Sequence, residues 1–142
     1  MFTNRWIRGI DDISDVLSIR TKVLNNKSDF KDVLDEQAWH CIIIWEGKDV
    51  ATGRIYPNAG FWHIDKRYVL PDYQGKGIGD LLFRVLVDRA IRFDTADVCI
   101  EVDAKHYDYF AAFGFSPVAS EEKLRMQLKR EDVVFPSSCG GD

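Results

Sequence analysis

The segment from Val69 to Asp80 limits the possible folds more than any other part of the sequence. It opens with an apolar stretch that ends at Pro71, which has no N–H to donate to a β-ladder. Three glycines then alternate with other residues at positions 75, 77 and 79, and a run with helical spacing begins at Ile78. A strand, a tight glycine turn and a helix in immediate succession predict a sheet with helices packed on it.

The remaining apolar patterns extend this unit to the order β-α-β-β-β-α-β-α-β. Three strands linked by hairpin turns, followed by helical crossovers, imply a mixed sheet with helices on it and an α/β (α+β) fold class. The length of 142 residues favours a single domain over 1–142, with a loosely ordered tail from about 131 to 142. Predicted strands cover 2–10, 41–45, 50–56, 61–70, 96–102 and 124–128, and predicted helices cover 13–24, 78–91 and 105–113.

Composition excludes several function classes. The net charge of −4 argues against nucleic acid as the main partner and suits a cationic substrate such as an amine. No apolar run is long enough to span a bilayer and the first ten residues lack the core of a signal peptide, so we expect a cytoplasmic protein without a membrane partner. Three cysteines without a C-x-x-C pair, and Asp35, Glu36 and His40 at undiagnostic spacing, predict neither disulfides nor a metal.

The glycine loop is suited to binding an anion. The first N–H groups of a helix have no intrahelical partner, the helix dipole is positive there, and glycines let the backbone approach phosphates closely. A Walker A loop is excluded, because Lys76 is followed by Gly77 and Leu70 stands where its first glycine belongs. A Rossmann fingerprint is excluded as well, because Leu82 occupies its third glycine position.

With these residues in place, the chain resembles the GNAT superfamily of acyl-CoA-dependent N-acyltransferases. Gln74, Gly77 and Gly79 fill the motif [QR]-x-x-G-x-[GA], a V-x-P stretch precedes it at 69–71, and Gly114-Phe115 supplies the distal G-F. The resemblance extends over nearly the whole chain in element order. It implies a mostly antiparallel central sheet of about six to seven strands.

The resemblance also implies a coenzyme site. Backbone N–H groups of the loop and first helical turn would hold the pyrophosphate of acetyl-CoA, with the Lys76 ammonium nearby. Val69 and Leu70 would pair through their backbones with the pantetheine arm in a gap between the fourth and fifth strands. The implied residues are Val69, Leu70, Gln74, Gly75, Lys76, Gly77, Ile78, Gly79 and Asp80.

The acid that protonates the leaving thiolate is harder to assign. In many relatives it is a tyrosine four residues before the glycine of G-F, and here that position is Phe110. Tyr107 is three residues earlier, roughly on the same helical face, whereas Tyr109 points about 100° away. We therefore predict Tyr107 as the acid, with the alternative that both tyrosines only pack or face solvent. Asp103 replaces the asparagine common near this helix start.

The base is sought on the fourth strand, because an amine acceptor must lose a proton before or during attack. His63, Asp65, Arg67 and Val69 alternate onto one face if no bulge intervenes. His63 has the intrinsic pKa for a base, and Asp65 is the second candidate or orients a water. The alternative interpretation is an ordinary polar strand face, and a bulge would exchange the faces.

The expected activity is transfer of an acetyl group from acetyl-CoA to a primary amine of a small molecule or peptide. The alternative is a non-catalytic acyl-CoA-binding sensor of the same fold, which the missing tyrosine makes reasonable. The acceptor and the role of Cys139 stay open, and a homodimer is compatible with the resemblance but has no support in the residues.

Overall fold

In the part of the chain that the structure describes, seven strands and three α-helices follow one another in the predicted order, with one strand added. The structure is a computed structural model that describes residues 1–25, 31–93, 97–118 and 124–137. The elements are β1 (Phe2–Arg8), α1 (Ser14–Val23), β2 (Trp39–Trp45), β3 (Lys48–Asn58), β4 (Phe61–Val69), α2 (Ile78–Phe93), β5 (Asp97–Glu101), α3 (Tyr107–Ala111), β6 (Ser116–Val118) and β7 (Arg125–Leu128). The added strand is β6, whose three residues include a proline and give no alternating pattern.

All seven strands form one sheet in the order β1-β2-β3-β4-β5-β7-β6. The four N-terminal strands make antiparallel neighbours, and β7 pairs antiparallel with both β5 and β6. Only β4 and β5 run parallel, because α2 connects them as a crossover. The predicted mixed, mostly antiparallel sheet with flanking helices is thereby confirmed.

The two faces of the sheet are covered differently. Against one face lies α2, whose Phe83 is fully buried and meets Phe110, Phe113 and Phe115 from the α3 region with ring centroids 5.0, 5.1 and 6.0 Å away. Against the other face lies α1, which packs a smaller apolar cluster including Val16 onto the sheet. No helix in the described ranges is long and apolar enough to cross a membrane.

Residues 131–137 continue from a short 3₁₀ turn at Arg130–Asp132 and contact the α3 region. The Val134 N–H donates to the Phe113 carbonyl at 2.9 Å, and the Phe135 ring meets the Phe113 ring edge-on at 6.2 Å. This part of the expected loose tail therefore has fixed neighbours, whereas 138–142 lies outside the described residues, as does Cys139.

Candidate functional site

The gap between β4 and β5 is the first feature of the site. The two strands pair only over Phe61–His63 and Asp97–Cys99. Beyond His63, β4 stays paired with β3 as far as Val69, while β5 continues beside β7. The strands diverge as the resemblance implies, and the edge of β4 that faces β5 has no ladder partner among the residues that the structure describes.

A β-bulge lies in β4 where the gap opens. Thr52 pairs with Tyr68 but Arg54 pairs with Asp65, so two steps along β3 oppose three along β4. The extra residue is Lys66, whose φ is +51°. A bulge of this kind turns the following side chains to the opposite face.

The bulge overrides the alternation expected for a regular strand. His63 and Asp65 stay on the face that α1 covers, where Asp65 bonds to Arg54. Arg67 instead contacts Phe83 of α2, and Val69 packs with the core on that same side. The expected common face of these four residues therefore holds only as far as Asp65.

One open cleft, of about 870 Å³, lies on the α2 side of the gap. We name it the α2–α3 cleft. It is lined by the bulged end of β4, the first turns of α2, the α3 helix and the chain near Pro136. Its wall includes Arg67, Val69, Gly79, Asp80, Tyr109 and Phe110.

The glycine loop adjoins this cleft and contributes Gly79 to its wall. Gly75 and Gly77 have φ of +77° and +81°, a conformation that other residues rarely adopt, and a Cβ at either position would meet no atom within 4 Å. The Gln74 amide closes the turn by donating to the Val69 carbonyl at 3.0 Å. An open, left-handed loop directly before the N-terminus of α2 leaves space for an anionic group against backbone N–H groups.

The charged residues of the loop already have partners. Lys76 places its ammonium 5.5 Å from the centre of the Trp45 ring. Asp80, in the first turn of α2, accepts from Arg84 Nε at 2.8 Å and from the Tyr109 hydroxyl. A carboxylate beside a phosphate site would repel the ligand, and these two donors offset its charge.

The backbone at the end of β4 distinguishes two of the predicted residues. Leu70 donates its N–H to the Val50 carbonyl at 2.9 Å, and thus has none left for a ligand. Val69 is one residue earlier, so its N–H points to the opposite edge, toward the gap. Of the two, Val69 is the one whose amide faces a bound chain.

A second cleft, of about 310 Å³, lies between the diverging strands and is named the β4–β5 cleft. His63, Asp65, Tyr56 and Glu101 line it. His63 Nε2 is 3.2 Å from the Asn58 carbonyl, and its ring stacks on Tyr56 with centroids 5.1 Å apart. Because that hydrogen bond requires a protonated Nε2, Nδ1 is the nitrogen left with a lone pair.

Asp65, the other predicted base, is held in an ion pair. Both carboxylate oxygens accept from the Arg54 guanidinium at 2.8 Å. A bidentate partner engages both oxygens of the carboxylate. The arrangement favours His63 over Asp65 for proton removal.

The tyrosines occupy different surroundings. Tyr109 lines the α2–α3 cleft, and its pKa is raised by burial and by its bond to Asp80. Tyr107, the predicted acid, is as exposed as Tyr109, at 36% against 37%, but is not among the described residues that line either cleft. Its catalytic role stays a prediction that the geometry does not favour.

The comparisons with known proteins agree with this geometry. Residues 11–115 match the model of the acetyltransferase (GNAT) family. The chain belongs to the GNAT acetyltransferase family.

Solved structures with the same fold come from several organisms. An acyl-CoA N-acyltransferase from Pseudomonas aeruginosa is 19% identical, with a TM-score of 0.77, over 90% of this chain and 99% of that one. ElaA from Escherichia coli is 16% identical, with a TM-score of 0.72 and the same coverage. PaiA N-acetyltransferase from Thermoplasma acidophilum, solved with coenzyme A, is 11% identical with a TM-score of 0.65 over 91% and 99%. No curated protein sequence gives a significant match.

Around this GNAT site lies a buried ionic network that the sequence patterns do not indicate. Asp35 is fully buried and accepts from Arg20 at 3.0 and 3.1 Å and from Arg54 at 2.9 Å. Arg54 joins this pair to Asp65 and, at 2.7 Å, to Asp32. Burial alone would raise the pKa of Asp35, but the hydrogen bonds from Arg20, the Asp32 backbone and Arg54 hold it well below its usual range.

The network also occupies the residues that resembled metal ligands. His40 is buried beside Asp35, with Nε2 3.8 Å from its Oδ1, and burial lowers the pKa of the imidazole. The two arginines fill the remaining positions around that carboxylate. Across 1–25, 31–93, 97–118 and 124–137, no cluster of three or more potential metal ligands is found.

Proposed function

We propose that the protein transfers an acetyl group from acetyl-CoA to a primary amine of a small molecule or peptide. The observation that carries this proposal is the unpaired edge of β4, which runs from the β4–β5 cleft to the glycine loop. Acetyl-CoA bound along this edge would meet an amine acceptor that enters through the β4–β5 cleft. Membership of the GNAT family supports the reaction class.

The residues present fit the coenzyme. Gly75 and Gly77 leave open the space that a side chain would fill, and backbone N–H groups of residues 75–80 are available to pyrophosphate. Val69 supplies an amide toward the gap, as an added strand would require. Coenzyme A would provide the activated acyl group as a thioester, and the chain provides its orientation.

On the acceptor side, we propose that His63 removes the proton that the amine loses. Its Nδ1 carries the lone pair, Tyr56 holds the ring by stacking, and the Asn58 carbonyl fixes Nε2. The walls of this cleft carry two carboxylates: Asp65, which is paired with Arg54, and Glu101, which lies 3.8 Å from Arg125. A cationic acceptor such as an amine suits the net charge of −4 of the whole chain.

Release of coenzyme A from acetyl-CoA tests this proposal. Polyamines, aminoglycosides, amino acids and peptide N-termini are supplied in parallel, and free thiol is measured over time. We expect turnover with one class and none without an acceptor. Binding of coenzyme A without turnover in any class would instead support a sensor, the second candidate, which Phe110 at the tyrosine position favours.

A further inference from the structure

Arg67 stands at the junction of the two clefts. Its side chain lines both the α2–α3 cleft and the β4–β5 cleft. The bulge at Lys66 brings it there, because in a regular strand it would share the face of His63 and Asp65. A donor in one cleft and an acceptor in the other would meet beside this guanidinium.

Among the described residues no hydrogen bond or ion pair joins the Arg67 guanidinium to a carboxylate, and Asp65 acts on its charge only from a distance. The guanidinium carbon lies 5.1 Å from the centre of the Phe83 ring and 5.3 Å from that of Phe110. Two aromatic faces hold the cation in place without neutralising it. Arg67 is exposed, and solvent reaches its side chain through the clefts; the protein atoms around the guanidinium still displace some of its hydration, which lowers its pKa. An arginine nevertheless stays charged at neutral pH.

The other arginines near the site differ in this respect. Arg54 is paired with three aspartates, and Arg84 donates to Asp80. The exposed Arg67 guanidinium is therefore open to a group bound in either cleft. A cation so placed at the junction can act on a negative charge that forms there during the reaction.

Acetyl transfer generates such a charge. The amine nitrogen forms a bond to the thioester carbonyl carbon, the C–S bond breaks, and its electron pair stays on sulfur. The nitrogen loses one proton on the acceptor side, so the sulfur leaves as a thiolate that takes a proton from solvent later. No oxidant or reductant takes part. A fixed cation near the sulfur lowers the energy of this step.

We propose that Arg67 is a catalytic residue that stabilises the departing thiolate of coenzyme A. The inference rests on the proposed function, since it needs coenzyme A in the α2–α3 cleft. It assigns the leaving group's stabilisation to an electrostatic partner, with no hydroxyl required at Phe110.

The test is the ultraviolet titration of the thiol of bound coenzyme A, which needs no acceptor. In the wild-type complex we expect the thiolate to appear at a pH lower by at least about 1 than in the Arg67→Met complex, as for a unit charge within 4–6 Å. Arg67→Lys keeps the charge and should keep most of this difference. Arg92→Met, on the exposed end of α2, is the matched control and should titrate as wild type.

Affinity separates this inference from the proposed function. We expect coenzyme A to bind Arg67→Met within about threefold of wild type, a difference below 1 kcal/mol, while turnover falls at least about tenfold. Failure of the wild-type protein to bind coenzyme A would contradict the proposed function itself. Binding with identical thiol titration in wild type and Arg67→Met would overturn the role of Arg67 alone. Arg67→Met could instead lose activity only with acyl-CoA donors whose acyl chain carries a carboxylate, with no change in the thiol titration. That result would also overturn the proposal, because Arg67 would then bind the acyl group.

Discussion

The two sides of the β4–β5 gap are built by different kinds of interaction. On the proposed coenzyme side, the candidate residues are contiguous: a strand end, a left-handed glycine loop and the first turn of α2. On the acceptor side, charges from α1, the 3₁₀ turn at Val33–Gln37, β3 and β4 are joined in one buried network. The first depends on local backbone conformation, and the second depends on long-range pairs that exist only in the folded chain.

This difference separates binding from folding. Changes in the glycine loop should affect the ligand and leave stability nearly unchanged, because the loop is open to solvent and packs against little. Changes in the network should affect stability first, because a buried charge that loses its partner is strongly unfavourable. The two sides therefore respond differently to substitution, and the following experiments measure that contrast.

The largest effect is expected from Arg54→Met. The substitution leaves Asp35 with one arginine and Asp65 with none, so the free energy of unfolding should fall by about 3–5 kcal/mol. Urea denaturation measures it, and Arg92→Met serves as control, with a change within about 0.5 kcal/mol expected at its exposed site. A loss below about 1 kcal/mol for Arg54→Met would show that the network adds little to the fold.

The same contrast governs what the sequence predicts. The order of strands and helices and the glycine loop follow from local patterns, namely apolar spacing, Pro71 and alternating glycines. The bulge at Lys66 has no such pattern, since nothing in 61–69 distinguishes it from a regular strand. The ion pairs that Asp35 makes with Arg20 and Arg54 join residues 15 and 19 positions apart, and no periodicity marks them. The bulge, which the strand pattern leaves open as an alternative, therefore moves Arg67 and Val69 to the other face.

Gly77→Val tests the coenzyme side. Valine at a φ of +81° is strained and would occupy the space beside the loop, so coenzyme A should bind at least about 100-fold more weakly, about 2.7 kcal/mol. Gly60→Val is the matched control, because its φ is +83° with equally open surroundings in the β3–β4 turn. Calorimetric binding constants decide the matter. Equal affinity in both variants would remove the loop from the coenzyme site.

His63→Ala tests the acceptor side by rate instead of stability. If Nδ1 accepts the amine proton, the rate at limiting acceptor should rise with pH through a pKa near that of histidine in wild type. In the variant the rate should no longer rise with pH in this way and should fall by about 10²-fold, while coenzyme A affinity is retained. Asp65→Asn discriminates between the two candidates: a pH dependence lost only in that variant would assign the base to Asp65 or to a water it holds.

Asp35 should make stability depend on pH. Its pKa is lower in the folded chain than in the unfolded one, so its contribution is complete above about pH 4 and declines as the pH falls toward the folded value. Between pH 5 and pH 2 we expect a loss of about 2 kcal/mol from this group. Urea curves at several pH values measure the loss, and Asp35→Asn should show a correspondingly flatter profile. Parallel profiles in the two proteins would exclude Asp35 as the source.

The smallest effects are expected from substitutions in α3, where Tyr109 lines the α2–α3 cleft and Tyr107 does not. Tyr109→Phe removes a hydroxyl that donates to Asp80 beside the loop, so a lost hydrogen bond of about 1 kcal/mol should weaken coenzyme A binding up to about fivefold. Tyr107→Phe should change neither affinity nor turnover, because Tyr107 is exposed and lines neither cleft. Both constants are measured for each variant. A turnover loss confined to Tyr107→Phe would identify Tyr107 as the acid and contradict the role proposed for Arg67. Wild-type turnover in both variants is expected if the thiolate is stabilised electrostatically.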